Sequence, residues 1–171
     1  MTGKFFVDTN VFVYAYDVAH SAKNAIATER VTQLWRDRSG RTSIQVLKEF
    51  YATCTRKLAG RMSPEQAWEI AHSLLAWEPQ PTDRHLLLKA HEVEQRYRIS
   101  WWDSLIVAAA QLQDCDVLLT EDLQAGMRFD QVTVQNPFAV GVQEQTPAYR
   151  VERLPSRHRS RGRPRKRHAA L

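Results

Sequence analysis

A chain of 171 residues with 43% hydrophobic side chains has the size and apolar share of one domain, and no apolar run approaches the length of a membrane-spanning helix. The formal charge of +5 is unevenly laid down: from Arg150 onward there are nine of the 24 Lys+Arg but one of the 19 Asp+Glu, leaving 15 basic against 18 acidic residues before it. A mildly acidic body over residues 1–140 with a basic, disordered tail over 141–171 is therefore expected.

Phe5, Phe6 and Val7 form a short run of β-formers that ends at Asp8, which predicts a buried strand with a carboxylate at its carboxyl end. Asn10 to Tyr16 is apolar or aromatic apart from Asn10 and suits a short buried helix. From Ala22 to Arg38, Ile26, Val31, Leu34 and Trp35 recur at roughly helical spacing among charged residues, so a surface helix is expected, ending before Ser39-Gly40. Arg41–Gln45 reads as a second strand. Ser43 can cap a helix over about Gln45–Leu58, with Val46, Leu47, Phe50, Tyr51, Cys54 and Leu58 on one apolar face and Gly60 as its stop.

Ser63-Pro64-Glu65-Gln66 is a start signal, with Ser as N-cap, Pro at the first helical position and Gln three residues after the cap. The helix it opens carries Ala67, Trp68, Ile70, Ala71, Leu74 and Leu75. After the extended link 78–81, Thr82 opens a helix to about Arg98, and Ser100 opens a buried one, SWWDSLIVAAAQLQ. Val117–Thr120 and Gln131–Val134 read as further strands, separated by the polar loop Glu121–Gly126. Strands alternating with helices imply right-handed βαβ units and a parallel sheet covered on both faces.

Cys54 and Cys115 lie among apolar residues and form neither a metal pair nor a disulfide framework, which favours a reducing compartment. Met1 leads within a few residues into the first strand with no signal segment, so a soluble, cytoplasmic protein is expected. His72, His85 and His91 share no helix face at the spacing of a zinc site, and His158 and His168 belong to the tail.

Each acid has an ordinary structural use when taken singly. Asp8 can cap the helix after it, Ser100 and Asp103 have capping-box spacing, and Asp122 sits in a loop. Their conjunction says more. Asp8 and Asp122 follow strands, Glu49 lies about a turn into the helix after the second strand, and Asp103 lies in the first turn of a buried helix. All four can reach one carboxyl edge of the sheet, where ligands bind in open parallel sheets. Ile106, Val107 and Ala110 follow Asp103 at i+3, i+4 and i+7, so its carboxylate projects from an apolar stripe and needs a cation or a donor. Clustered carboxylates stay ionised together when a hard cation holds them, and oxygen ligands suit Mg²⁺ or Mn²⁺.

At these residues the chain resembles the PIN-domain nucleases, particularly the toxins of VapBC-type toxin-antitoxin pairs. VDTNV at 7–11 is similar to their first motif, Glu49 in QVLKEFY to their second acid, Asp103 in WWDSLIVAAA to their third, and Asp122 in LLTEDLQAG to their fourth. The likeness covers about Lys4 to Pro137. It implies a three-layer α/β/α sandwich with a parallel central sheet, and metal-dependent endonucleolytic cleavage of RNA with one ion or two. It also implies catalytic roles for Asp8, Glu49, Asp103 and Asp122, with Asp8, Asp103 and Asp122 as metal ligands and Thr9 or Asn10 as polar support. Glu121, beside Asp122, competes with it for the place facing the metal. The resemblance further implies homodimers and a small antitoxin that blocks the site.

Two readings compete with a toxin: a housekeeping PIN nuclease, and a non-catalytic nucleic-acid-binding module working through its tail. A haloacid-dehalogenase-like phosphatase is disfavoured, because it needs a second Asp where this chain has Asn10. Trp101 and Trp102 precede Asp103, where an exposed aromatic can stack on a base while at least one packs in the core. In the tail, Arg161, Arg163, Arg165, Lys166 and Arg167 flank an R-G-R-P core that resembles an AT-hook, and the charge run suits attraction to RNA or DNA in general.

Overall fold

The computed structural model describes residues 3–58 and 62–139, so Gly60 and the basic tail with Arg161, Arg163, Arg165, Lys166 and Arg167 lie outside the described residues. The elements in chain order are β1 (Phe5–Val7), α1 (Thr9–Tyr16), α2 (Ser21–Asp37), β2 (Gly40–Arg41), α3 (Ile44–Lys57), α4 (Pro64–Ser73), a 3-10 turn (Leu74–Trp77), α5 (Arg84–Tyr97), α6 (Trp101–Leu112), β3 (Val117–Leu119), β4 (Arg128–Phe129) and β5 (Val132–Gln135). No helix among them is long and apolar enough to cross a membrane.

The strand order is β2-β1-β3-β5-β4. The neighbours β2-β1, β1-β3 and β3-β5 run parallel. With right-handed crossovers, leaving β1 one way to β2 and returning past it to β3 puts the two sets of connecting helices on opposite faces, which gives the three-layer sandwich. One strand departs from the expected parallel sheet. β4 pairs antiparallel with β5, through a two-residue turn in which Asp130 takes a left-handed φ of 55°. A two-residue strand such as Arg128–Phe129 carries no period to detect, so sequence patterning passes over it.

The helix starts follow their capping chemistry. Ser63 Oγ accepts from Gln66 N at 3.2 Å while Gln66 Oε1 accepts from Ser63 N at 2.9 Å, a complete capping box. Asp83, rather than Thr82, caps α5 by accepting from Leu86 N at 2.9 Å. The second strand is shorter than expected, because Thr42 and Ser43 already turn into α3: Ser43 Oγ accepts from Val46 N at 3.2 Å.

The core is aromatic around α1. Phe12 meets Phe50 edge-on at 6.5 Å and Trp77 at 5.6 Å, and Trp77 lies 5.2 Å from Trp35. Trp77 also covers Gly40 so closely that a Cβ there would come within 2.5 Å of its ring, so β2 needs glycine at this position. Cys54 and Cys115 are buried, and burial pushes both thiols up to about 12, which makes them inert core side chains. On α3 and α4 the apolar face is only partly covered. Tyr51, Trp68 and Leu75 remain exposed and line a groove of about 520 Å³ with Ile44, Leu47 and Ala71.

Candidate active site

Strand register sets the centre of the site. Val7 pairs with Leu119 in adjacent parallel strands, so the next residues, Asp8 and Thr120, face each other just beyond the carboxyl edge. Thr120 Oγ1 donates to Asp8 Oδ2 at 2.8 Å, and Asp8 Oδ1 accepts from Thr9 N at 2.7 Å as the N-cap of α1. The carboxylate of Asp8 is thus oriented through both oxygens and is only 2% exposed.

Asp122 is tied to the same centre. Its backbone N donates to Thr120 Oγ1 at 3.1 Å, and its Oδ2 accepts from Asn10 Nδ2 at 3.2 Å. Asn10 Nδ2 also reaches Thr120 Oγ1 at 3.3 Å. Asn10 is wholly buried and its Oδ1 has no hydrogen-bond partner among the described residues. The side chain of Asp122 is exposed, as a loop position allows.

Glu49 enters from the other side of β1. Ser43 opens α3 at the carboxyl edge, and about a turn later Glu49 Oε2 accepts from Thr9 Oγ1 at 2.9 Å while Oε1 accepts from Gln45 Nε2 at 3.0 Å. Gln45 and Glu49 are neighbours on one helix face by the i, i+4 rule. Asp8, Glu49 and Asp122 are therefore joined through Thr9, Asn10 and Thr120.

Asp103 is placed by topology alone, on the side of the sheet toward which the amino end of α6 points. α6 runs into β3 through a short turn, so its amino end lies where β3 finishes. Ser100 Oγ donates to Asp103 Oδ2 at 2.6 Å, and Asp103 N donates back to Ser100 Oγ at 3.1 Å. Asp103 is partly exposed in the first turn, so the apolar stripe that follows it in sequence does not bury its carboxylate. Of the two tryptophans before it, Trp101 packs against the core and Trp102 is 37% exposed.

Glu121 points elsewhere. Its Oε2 accepts from Lys23 Nζ at 2.9 Å, and Lys23 also donates to Tyr14 Oη at 3.1 Å. Burial works to lower the pKa of Lys23, but the hydrogen bonds to Glu121 and Tyr14 and the charge of Glu121 outweigh it and leave the ammonium above its ordinary value.

Sequence reading missed three of these partners. Thr120 ends a strand two residues before Asp122, and only the register with β1 shows that its hydroxyl meets Asp8. Gln45 was recoverable from its spacing to Glu49. Lys23 was legible as well, because Lys23, Ala27, Val31 and Leu34 form the buried stripe of α2, an odd place for a lysine without a partner.

The donor set is all oxygen, which suits a hard divalent cation. Among the described residues no three His, Cys, Asp or Glu side chains are grouped so as to hold a metal ion. That count still fits Mg²⁺, which is commonly held by one or two carboxylates with water filling the rest of its shell. Asp8, with its two oxygens fixed, and Asp122, in the loop after the neighbouring strand β3, are the two carboxylates tied to one centre through Thr120 and could supply such a pair.

The family model described as PIN domain matches residues 5–132. No curated protein matches the chain. Among solved structures, the chain is similar to Mycobacterium tuberculosis VapC20, described as a Sarcin-Ricin loop cleaving toxin, at 21% identity and a TM-score of 0.52, over 70% of this chain and 90% of that one. That structural likeness speaks for the fold, and the family match spans strand β1 through the start of β5 and includes all four acids: the chain belongs to the PIN domain family.

Proposed function

We propose that this protein is a divalent-metal-dependent endoribonuclease, the toxin of a toxin-antitoxin pair. The observation that supports it most is the meeting of Asp8, Glu49 and Asp122 at the carboxyl edge through Thr9, Asn10 and Thr120, in a PIN-family chain. Asp8 and Asp122 are the carboxylates that would hold Mg²⁺ or Mn²⁺, and Asp103, at the amino end of α6, would add its negative charge on that side. When bound, such an ion neutralises the acidic cluster toward a phosphate and makes a nearby water more acidic. Glu49, held at both oxygens by Thr9 and Gln45, orients the attacking water in line with the scissile phosphorus, and Trp102 stacks on a neighbouring base. The apolar groove between α3 and α4 offers a partner protein a surface larger than scattered apolar side chains would make.

Purified protein is expected to cleave single-stranded RNA with Mg²⁺ or Mn²⁺ and to stop when EDTA is added. Full cleavage in EDTA would remove the metal from the reading, and no cleavage with either ion would favour a non-catalytic binding module.

The basic tail is assigned to substrate attraction. Truncation after Pro147 removes all nine basic residues from Arg150 onward. It should weaken RNA binding and flatten its dependence on salt, since each lost phosphate contact lowers the slope of log K against log salt by about 0.7 on single strands. Turnover at saturating RNA should persist, and a truncated protein with an unchanged salt slope would show that the tail is no anchor.

A further inference from the structure

We propose that Lys23 is a positioning residue for this site, holding the Glu121–Asp122 loop so that Asp122 stays against Asn10 and Asp8. The proposal rests on the reading of Asp8 and Asp122 as cation ligands. Lys23 and Glu121 are each only 10% exposed at the side chain and meet at 2.9 Å. The ammonium also lies 4.5 Å from the centre of the Tyr14 ring and 5.3 Å from that of Phe138, so one cation ties together α1, α2, the loop after β3 and the segment after β5. Glu121 Oε1 is buried with no hydrogen-bond partner among the described residues, which makes Lys23 the main compensation for that carboxylate.

The geometry explains why a clamp is needed. After β3 the chain from Thr120 to Met127 has no regular structure, and Gly126 turns it at a φ of 86°. Asp122 itself is exposed at the loop, where its backbone N donates to Thr120 and its carboxylate accepts from the Asn10 amide. Glu121 is the neighbouring residue and its side chain is the buried one. Fixing Glu121 from below therefore fixes the direction in which Asp122 leaves the loop. Without the ammonium, a buried carboxylate would turn outward to reach water and carry Asp122 off its register.

Coulomb's law alone makes the opposite prediction, which gives the test its sign. Removing a positive charge from beside an acidic cluster should tighten cation binding, whereas losing a positioning residue should weaken it. Mn²⁺ binding to the full chain, followed by calorimetry with no RNA present, reads this directly. Lys23→Met should raise the Mn²⁺ Kd by about 10-fold or more, the scale of losing a residue that orients a ligand. Lys23→Gln, which keeps a polar group in the pocket, should move it in the same direction and serves if the first variant does not fold. Adding Glu121→Gln to Lys23→Met removes the stranded charge and should bring the Kd most of the way back. An unchanged or tighter Kd in both single variants overturns the clamp. Wild-type protein that binds no Mn²⁺ overturns the site reading itself and the clamp with it.

Discussion

Asp8→Asn is expected to lower RNA cleavage by about 10²-fold or more while the protein stays folded, the scale on which losing one preorganised electrostatic group acts. The two halves of that expectation come from different atoms. Asp8 Oδ1 accepts from Thr9 N, and an amide oxygen can do the same, since Asn is as good an N-cap as Asp. Oδ2 accepts from Thr120 Oγ1, and that hydroxyl already accepts from Asn10 Nδ2 and Asp122 N. An NH₂ in place of Oδ2 finds no lone pair left to donate to, so roughly 1 kcal/mol of stability is lost. The chemical loss is larger, because the negative charge that would hold a cation is gone.

Asp8→Ala is the informative contrast. It forfeits the cap as well, at about 1 kcal/mol, and leaves the Thr120 hydroxyl without its acceptor. If cleavage falls equally in both variants while the thermal midpoint falls further in the alanine one, the charge is what catalysis uses. Cleavage that tracks the midpoint instead would make Asp8 a structural cap, the ordinary reading of a strand-Asp-helix junction.

The legible and illegible parts of this site divide by physical cause. Asp8 was visible because a β-forming run stops at it, and Glu49 because an acid borders an otherwise apolar helical face. α3, α4 and α6 announced themselves through caps, with Ser43, Ser63 and Ser100 all accepting from the backbone as their spacing implies. What sequence could not show is what depends on register between distant segments. Thr120 matters through the pairing of Val7 with Leu119, and while Lys23 stands out on its helix, its partner Glu121 lies 98 residues along the chain. The choice between Glu121 and Asp122 was likewise open in sequence, since adjacent loop residues have no period. In the structure Glu121 goes to Lys23 and Asp122 to Asn10. Asp103 divides the same way: the apolar residues after it are buried, while its first-turn position leaves the carboxylate partly exposed and the donor it needed is the Ser100 hydroxyl.

Phe12→Ala should destabilise the protein by about 3–5 kcal/mol, the range for deleting a large aromatic from a packed interior. Phe12 is fully buried at the middle of α1, with the Phe50 ring edge-on from α3 and the Trp77 ring tilted against it from the 3-10 turn. Neither neighbour can collapse into the space. Phe50 also packs against Tyr16 at 5.9 Å, and Trp77 is pinned between Trp35 and the backbone of Gly40. A cavity would therefore persist, and its cost adds to the lost transfer energy. Against a total stability of about 5–15 kcal/mol for a typical domain, the variant is expected to fold but to unfold at much lower denaturant. The functional consequence follows from what α1 carries. Its first turn holds Thr9 against Glu49 and Asn10 against Asp122, so loosening the helix from below should reduce cleavage even under conditions where the protein remains folded. Urea titration checks the first claim, as a lower midpoint with an unchanged slope. RNA cleavage at low temperature, where the variant is native, checks the second. A midpoint shift worth less than about 1 kcal/mol would mean that the aromatic cluster repacks freely and that α1 is not held by Phe12.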